Sequence, residues 1–505
     1  MVEIDHNSFF NLNKKVIMIL EVKNCSLEYC ASIVKIGKLE KVENSDNLVR
    51  TFIDGYPILV NKNEVSEGDV MVYSPIETEI NSDFLRTNNL YSWKDKELNH
   101  NYPEICMLLS EDYKYEDLKH KVGYFMSNGR VKIVRLLQQP SCGVLFSLDY
   151  IERWLTFHPN YHELKESDKE QLRNSVGTKF NYVEGLKFCD VYIPKQKTSA
   201  KTKKNKERKA LKKIDRLVPG QFYFHYDTDQ LGSNTDKLSP DTEVDISIKI
   251  HGTSVIIGNL KVLKPKFKTG INFIDRFLFK HMPKSLMFNE GYDIIYSSRK
   301  VIKNDDLNPG RNNFYETNVW KEYADLLGKF IPEDLTVYGE IFGYETGTTK
   351  FIQKDYDYGC KEGTNKMMIY RITQHTDNGL VEWDIERIMR WVIGLKNINS
   401  TLNDKIQYLP LIFTGKLSEI VSCKKDENWA VNLIEELKDN FNIESREPFC
   451  KNDVPREGIV IRIKNDPVAE AFKLKGTKFF YRESKQIDEG EIDMELKESM
   501  ENGEI

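Results

Sequence analysis

Along the second half of the chain, apolar and polar positions alternate in several short runs. The stretch "SIKIHGTSVIIG", residues 247–258, shows the pattern well. Ile246, Ile248 and Ile250 fall on every second residue, which predicts a strand with one buried face. A polar break at His251, Gly252, Thr253 and Ser254 follows, and then an apolar run that predicts another strand. "LTVYGEIFGY", "KMMIYRIT", "EGIVIRIKN" and "EAFKLKGTKF" also read as strands. "NVWKEYADLLGKFI" instead places Val319, Trp320, Tyr323, Leu326 and Leu327 at helical spacing. Residues 383–440 carry two or three amphipathic helices, "IERIMRWVIGL" and "WAVNLIEELKDNF" among them. The alternation predicts an α+β domain over residues 219–485, with 383–440 as a helical insert.

The first 190 residues read differently. "YCASIVKIGKLEKV", "LVRTFIDGYPILV", "GDVMVYSP" and "GRVKIVRLLQQPSCGVLFSL" are short β-type runs. Turn signals such as Asp54-Gly55 and Asn128-Gly129 separate them. Short strands with glycine-bearing turns predict a small β-barrel of OB type, a fold suited to nucleic acid. Residues 150–180 are polar with scattered aromatics and predict helix. No internal repeat is present.

A chain of 505 residues accommodates two to three domains. The net charge of −5 says little about partners, but its distribution says more. Residues 191–218 form a basic linker around "KQKTSAKTKKNKERKALKKIDR", while 486–505 form an acidic tail. The basic run is either a solvated linker or a segment that contacts a phosphate backbone. The tail either shields a basic groove or is disordered. Eight cysteines without a CxxC pair argue against a zinc ribbon and for free thiols in a reducing compartment. No apolar run is long enough to span a bilayer, and "NKKVIMIL" lacks a cleavage site behind it. A cytoplasmic, monomeric protein is the expectation, without a membrane partner.

Charged residues on the apolar strands are the candidate chemistry. A lone charge on a strand usually faces solvent, but here five recur: Lys249, Glu340, Glu457, Lys473 and Lys475. Lys473 and Lys475 are two apart and share a strand face, so their ammonium groups need an anion between them, and a triphosphate fits. Glu340 and Glu457 each adjoin a glycine, Gly339 and Gly458, which permits close approach of a ligand or backbone. Two carboxylates near phosphates imply Mg²⁺ that keeps some of its waters. An unperturbed lysine is protonated at neutral pH, and neighbouring cations push its pKa down. A metal and Lys475 are expected to do this at Lys249, allowing attack on an α-phosphate.

"KIHGTS" resembles motif I of the covalent nucleotidyltransferases, in particular the double-strand-sealing RNA ligases, whose pattern is Lys-x-His/Asp-Gly. Five further motifs follow in the family's order: "YSSRKV", "VYGEIFG", "MMIYRI", "EGIVIR" and "FKLKG". The resemblance implies a catalytic nucleotidyltransferase domain of antiparallel sheets and helices that uses ATP with Mg²⁺ or Mn²⁺. It implies that Lys249 is the adenylated nucleophile and that Lys473 and Lys475 bind phosphates and stabilise the transition state. Arg299 would contact ribose or a nucleic-acid phosphate, and Tyr370 would stack on adenine. Glu340 would hold the ribose hydroxyl or a metal-bound water, and Glu457 would position the metal.

Two positions depart from the pattern. Some relatives carry Asp where this chain has His251, which cannot serve as an anionic ligand, so more of the metal falls to Glu340 and Glu457. Several RNA ligases end motif IV in Lys, and Arg462 stands there with a different geometry. It is expected to meet the leaving pyrophosphate. DNA ligases and capping enzymes place an OB-fold after motif V, but only residues 477–505 remain here, too few for a barrel. An N-terminal OB domain instead resembles a smaller group of RNA ligases, nick sealers that need RNA on the 3′-OH side. The expected function is ATP-dependent joining of 3′-OH and 5′-phosphate ends of RNA or an RNA-containing duplex. The alternatives are a DNA ligase of unusual domain order and a catalytically inactive RNA-binding protein. His225 and Asp227, just upstream, either line the nucleotide pocket or cap a turn.

Overall fold

The structure, a computed structural model, describes residues 20–111, 113–158, 166–194, 217–225, 228–266, 286, 288–304, 315–426, 428–464 and 470–491. The basic run 195–216, Asp227 and the acidic tail beyond Glu491 lie outside the described residues. The fold is mixed α+β, and the described residues divide into two compact units, one ending at Pro194 and the other beginning at Leu217. Among the described residues no helix is long and apolar enough to cross a membrane. All eight cysteines are free thiols.

In the first unit the described strands pair as five short antiparallel sheets. The largest has the order Val144–Ser147, Val70–Ser74, Ala31–Lys35, Lys179–Phe180. The Asp54-Gly55 signal is realised as a hairpin turn, with φ of 51° and 75° at the two residues joining Leu48–Ile53 to Tyr56–Asn61. Helices Leu148–Phe157 and Glu166–Arg173 occupy the polar stretch. Helices Ser82–Thr87 and Tyr102–Ser110 add to a region that reads as strand-rich. Phe84 centres the core, edge-on to Phe146, Trp154 and Phe188 at 5.2, 5.7 and 5.0 Å. Arg130 is buried, and such a charge needs a partner. Glu77 supplies it with two bonds of 2.8 and 2.7 Å.

The second unit rests on two sheets, whose strands we number in chain order. The five-stranded sheet runs Asp229–Gln230, β9 (Ala471–Lys475), β8 (Gly458–Ile463), β1 (Glu243–Lys249), β7 (Leu411–Lys416). The other runs β3 (Phe288–Ser297), β2 (Thr253–Pro265), β4 (Leu335–Gly343), β5 (Asn365–Thr376), β6 (Gly379–Glu382), with Ile406–Tyr408 parallel to β5. Consecutive strands β1 and β2 thus belong to different sheets. Ile250, His251 and Gly252 carry the chain across. A Cβ on Gly252 would stand 2.4 Å from the Ile341 carbonyl oxygen, so the crossing admits only glycine.

Helices α1 (Val319–Leu327) and α2 (Ile385–Ile398) cover one face of the six-stranded sheet. Val255, Val337, Ile341, Met367 and Ile369 turn into that core. The alternate residues Ser254, Glu340, Met368 and Tyr370 line a pocket on the other face. The 383–440 segment is not a purely helical insert. It contains α2 and α3 (Trp429–Asn440), but also β7, which forms the edge of the five-stranded sheet beside β1. "EAFKLKGTKF" is a strand only to Lys475, and Thr477 opens helix α4 (Thr477–Asp488). The Glu444 carboxylate accepts from the Thr477 and Lys478 amides at 2.7 and 3.1 Å, which satisfies two first-turn donors and fixes the start.

Candidate active site

The two sheets line a cavity of about 370 Å³. Lys249, His251, Arg299, Glu340, Tyr370, Glu457, Arg462, Lys473 and Lys475 all reach it, so these nine candidate residues border one space. Sheet register explains much of this. Gly458 on β8 lies between Lys249 on β1 and Lys475 on β9 in one cross-strand row. Its φ is +153°, and a Cβ there would stand 2.0 Å from the Leu474 carbonyl oxygen. With no side chain in the middle of the row, the two flanking lysines converge on the preceding residue, Glu457.

Glu457 Oε1 lies 2.8 Å from Lys249 Nζ and 3.4 Å from Lys475 Nζ. Burial by itself would raise the Glu457 carboxyl, but the charges of Lys249 and Lys475 outweigh it and bring the carboxyl down to about 2. The anion between Lys249 and Lys475 is therefore a carboxylate. Lys475 also approaches Glu483 Oε2 at 3.5 Å and lies over the Phe479 ring at 5.0 Å. The second oxygen, Glu457 Oε2, is buried without a hydrogen-bond partner.

His251 does not act as a replacement acid. Its amide donates to the Tyr358 hydroxyl at 2.9 Å, and its ring stands edge-on to Tyr356 and Phe479 at 4.9 and 5.0 Å. Burial, only partly countered by Glu457, pushes the imidazole down to about 4, so it is neutral at pH 7. Its Nδ1 is 4.0 Å from Glu457 Oε2, too far for a hydrogen bond.

The six-stranded sheet contributes the aromatic side of the cavity. The β4–β5 register shifts between Tyr338 and Gly339, so that Tyr338 pairs with Arg371, Gly339 pairs with Ile369, and Tyr370 is the extra residue of a bulge. Neighbours on a regular strand point to opposite faces, and the bulge re-aims them so that both Tyr370 and Arg371 line the pocket. Burial and then the Glu340 charge raise the Tyr370 phenol, which keeps it protonated. His225 lines the cavity, edge-on to Tyr370 at 5.3 Å, so the structure places it at the pocket. Burial, then the Arg299 and Arg371 charges, hold its imidazole well below its ordinary value.

Arg462 is ion-paired to Glu382, which also accepts from Arg371 Nε at 2.7 Å. Neither Arg371 nor Glu382 stands out by sequence pattern. Strand alternation puts Arg371 on the face opposite Tyr370, and Glu382 ends a polar hairpin. The Asn378-Gly379 turn signal before "LVE" could have placed that hairpin.

Among the described residues no group of three or more His, Cys, Asp or Glu side chains gathers as a metal cage. The orphaned Glu457 Oε2 in a phosphate-sized, lysine-lined cavity nevertheless suits a hard cation that keeps its waters and takes one or two carboxylates.

No protein-family model and no curated protein match this chain. Solved structures of an RNA ligase from Naegleria gruberi do. A mutant with ATP and Mn is 13% identical at TM-score 0.48, covering 90% of this chain and 98% of that chain. The form with PPi is 13% identical at TM-score 0.47, covering 90% and 99%. A mutant with AMP and Mn is 13% identical at TM-score 0.48, covering 90% and 98%. At this identity and score the likeness carries no weight in assigning a reaction. The side chains in the cavity carry it.

Proposed function

We propose that this protein is an ATP-dependent RNA ligase that works through a lysyl-AMP intermediate. The observation that carries the reading is the row Lys249–Gly458–Lys475 with Glu457 between the two ammonium groups, at the wall of a nucleotide-sized cavity. A nucleophilic amine, further cations and a carboxylate are the parts that nucleotidyl transfer needs.

Lys249 Nζ gives its ammonium proton to solvent water and attacks the α-phosphorus of ATP, a second N–H proton passing to water as the bond forms. A P–N bond forms, the bond to the β-phosphate oxygen breaks, and pyrophosphate leaves. An oxygen of a 5′-phosphate end then attacks the same phosphorus, and the P–N bond breaks. In the last step a 3′-OH attacks the capped 5′-phosphate, the phosphodiester forms and AMP is expelled. Lys473 and Lys475 face the charge that develops on the phosphates, and preorganised cations are most effective there. Tyr370 supplies a stacking face for adenine. Glu340 and Arg299 receive the ribose and a phosphate, and Arg462 meets the leaving pyrophosphate. Glu457, with Glu340, would hold a divalent cation, which when bound polarises the phosphoryl oxygens. His251 stays neutral and shapes the wall behind Glu457.

The first unit is read as an OB-type domain that, with the basic run 195–216, grips the strands beside the break. Nicked duplexes with RNA on the 3′-OH side are the favoured substrate, and a monomer in the reducing cytoplasm the favoured state.

Mass spectrometry of the purified chain after incubation with ATP and Mg²⁺ tests the core of this. A gain of one AMP on Lys249, reversed by added pyrophosphate and absent in Lys249→Ala, is the expected result. An unmodified parent chain under those conditions rules the ligase reading out.

A further inference from the structure

Glu382 is the last residue of β6, paired with Thr373 of β5. Its carboxylate joins the two sheets. Oε2 accepts from Nε of Arg371 on the six-stranded sheet at 2.7 Å, and Oε1 pairs with Nη1 of Arg462 on the five-stranded sheet. All three side chains are mostly buried, 12% exposed for Glu382 and Arg371 and 23% for Arg462, and all three line the cavity.

Two guanidinium groups side by side repel, and burial strengthens the repulsion. A carboxylate between them lowers the local charge from two to one and fixes both planes. A guanidinium carries five N–H donors in a rigid fork, so one contact to a carboxylate orients the group without exhausting its donors. Arg371 is steadied from a second side, its guanidinium 5.1 Å from the Tyr338 ring centroid. Tyr338 is itself tied to the Tyr223 carbonyl at 3.2 Å. Among the described residues the ion-pair partner of Arg462 is Glu382, and that carboxylate fixes its direction.

We propose that Glu382 is a positioning residue for the adenylylation step, holding Arg462 and Arg371 as a guanidinium pair aimed at the β- and γ-phosphates of ATP. This rests on the ligase reading above. It goes beyond it in naming a step-specific role for Glu382, a residue that acts through the two arginines it pairs with. A pair that serves the pyrophosphate portion matters only while that portion is present. Joining a strand that already carries AMP on its 5′-phosphate involves no pyrophosphate and does not draw on Glu382.

The test uses the full chain with Glu382→Ala, Glu382→Gln and Glu382→Asp. Two rates are measured: Lys249–AMP formation across ATP concentrations, and ATP-independent sealing of a pre-adenylylated nicked duplex. In Glu382→Ala the KM for ATP is expected to rise about tenfold, the size of one charge-assisted hydrogen bond. Sealing of the pre-adenylylated nick should stay within about twofold. Glu382→Gln keeps the shape and should show the same split if charge is what matters, while Glu382→Asp recovers part of the loss. Equal losses in both rates make Glu382 a general structural residue and overturn the proposal, as does an unchanged KM in Glu382→Ala. If the parent forms no adduct at all, the ligase reading itself has failed, an outcome separate from either of these.

Discussion

At the residue scale, the expected chemistry and the observed geometry part company at His251 and Lys249. The sequence places three lysines and two carboxylates in one neighbourhood, and all five line the cavity. What it does not show is which oxygen stands between which ammonium groups, because that depends on side-chain reach across β1, β8 and β9. A metal and Lys475 are the neighbours expected to act on Lys249, and its direct contact is Glu457 at 2.8 Å. Burial against Tyr356 and Phe479 makes His251 a neutral wall residue. This has a consequence for stability. The unfolded chain takes up a proton at His251 as pH falls through about 6.5, while the folded chain resists until about 4. Its folded pKa is depressed, so the contribution is complete above the unfolded value and is lost as pH falls from there to the folded one. The loss from pH 7 to pH 4 should be on the order of 3 kcal/mol from this group. Urea midpoints of metal-free protein across that range check it. His251→Asn should flatten the profile between about pH 6.5 and 4, and an unchanged slope would show that other groups carry it.

At the scale of elements, period-two alternation located the strands well, because burial on one face writes itself into neighbouring residues. Pairing between distant segments leaves no such trace. Strand β7 at Leu411–Lys416 lies far from β1 in sequence and was hidden inside a helical stretch. The bulge at Tyr370, which turns Arg371 into the pocket, depends on a register shift opposite Gly339. Glycines show the same division. Gly458 reads in the sequence as a point of close approach, but only the sheet shows it as the middle of the Lys249–Lys475 row, at φ +153°. Gly458→Ala brings a methyl group to 2.0 Å from the Leu474 carbonyl oxygen and strains the backbone. It is expected to cost about 2–4 kcal/mol and to splay the two lysines, with loss of the AMP adduct. Gly394, inside α2, has nothing within 4 Å of a built Cβ. Gly394→Ala should stabilise the protein by up to about 1 kcal/mol through helix propensity and leave the adduct intact. Urea unfolding of both variants, with mass spectrometry alongside, separates the cases. Equal stabilities would contradict the steric account.

At the scale of the whole molecule, a net charge of −5 conceals strong segregation. A protein that handles a polyanion gains affinity from clustered cations whatever its total charge, since each neutralised phosphate releases counterions. The basic run 195–216 is the clearest such cluster in the sequence, and it follows directly on the first unit, which ends at Pro194. Its two readings, solvated linker or phosphate contact, differ in one measurable quantity. If Lys201, Lys203, Lys204 and Lys206 each meet a phosphate, replacing all four by Ser should reduce the slope of log K against log salt by about 3.6, at roughly 0.9 per contact on a duplex. Nicked-duplex binding should weaken most at low salt, where counterion release is worth most. Formation of the AMP adduct from ATP alone should be unchanged, because Lys249 and its partners belong to the pocket between the two sheets of the second unit. Fluorescence anisotropy of a labelled nicked duplex across a salt series gives the slope directly. A slope equal to that of the parent assigns the run to a spacer and overturns the phosphate-contact reading.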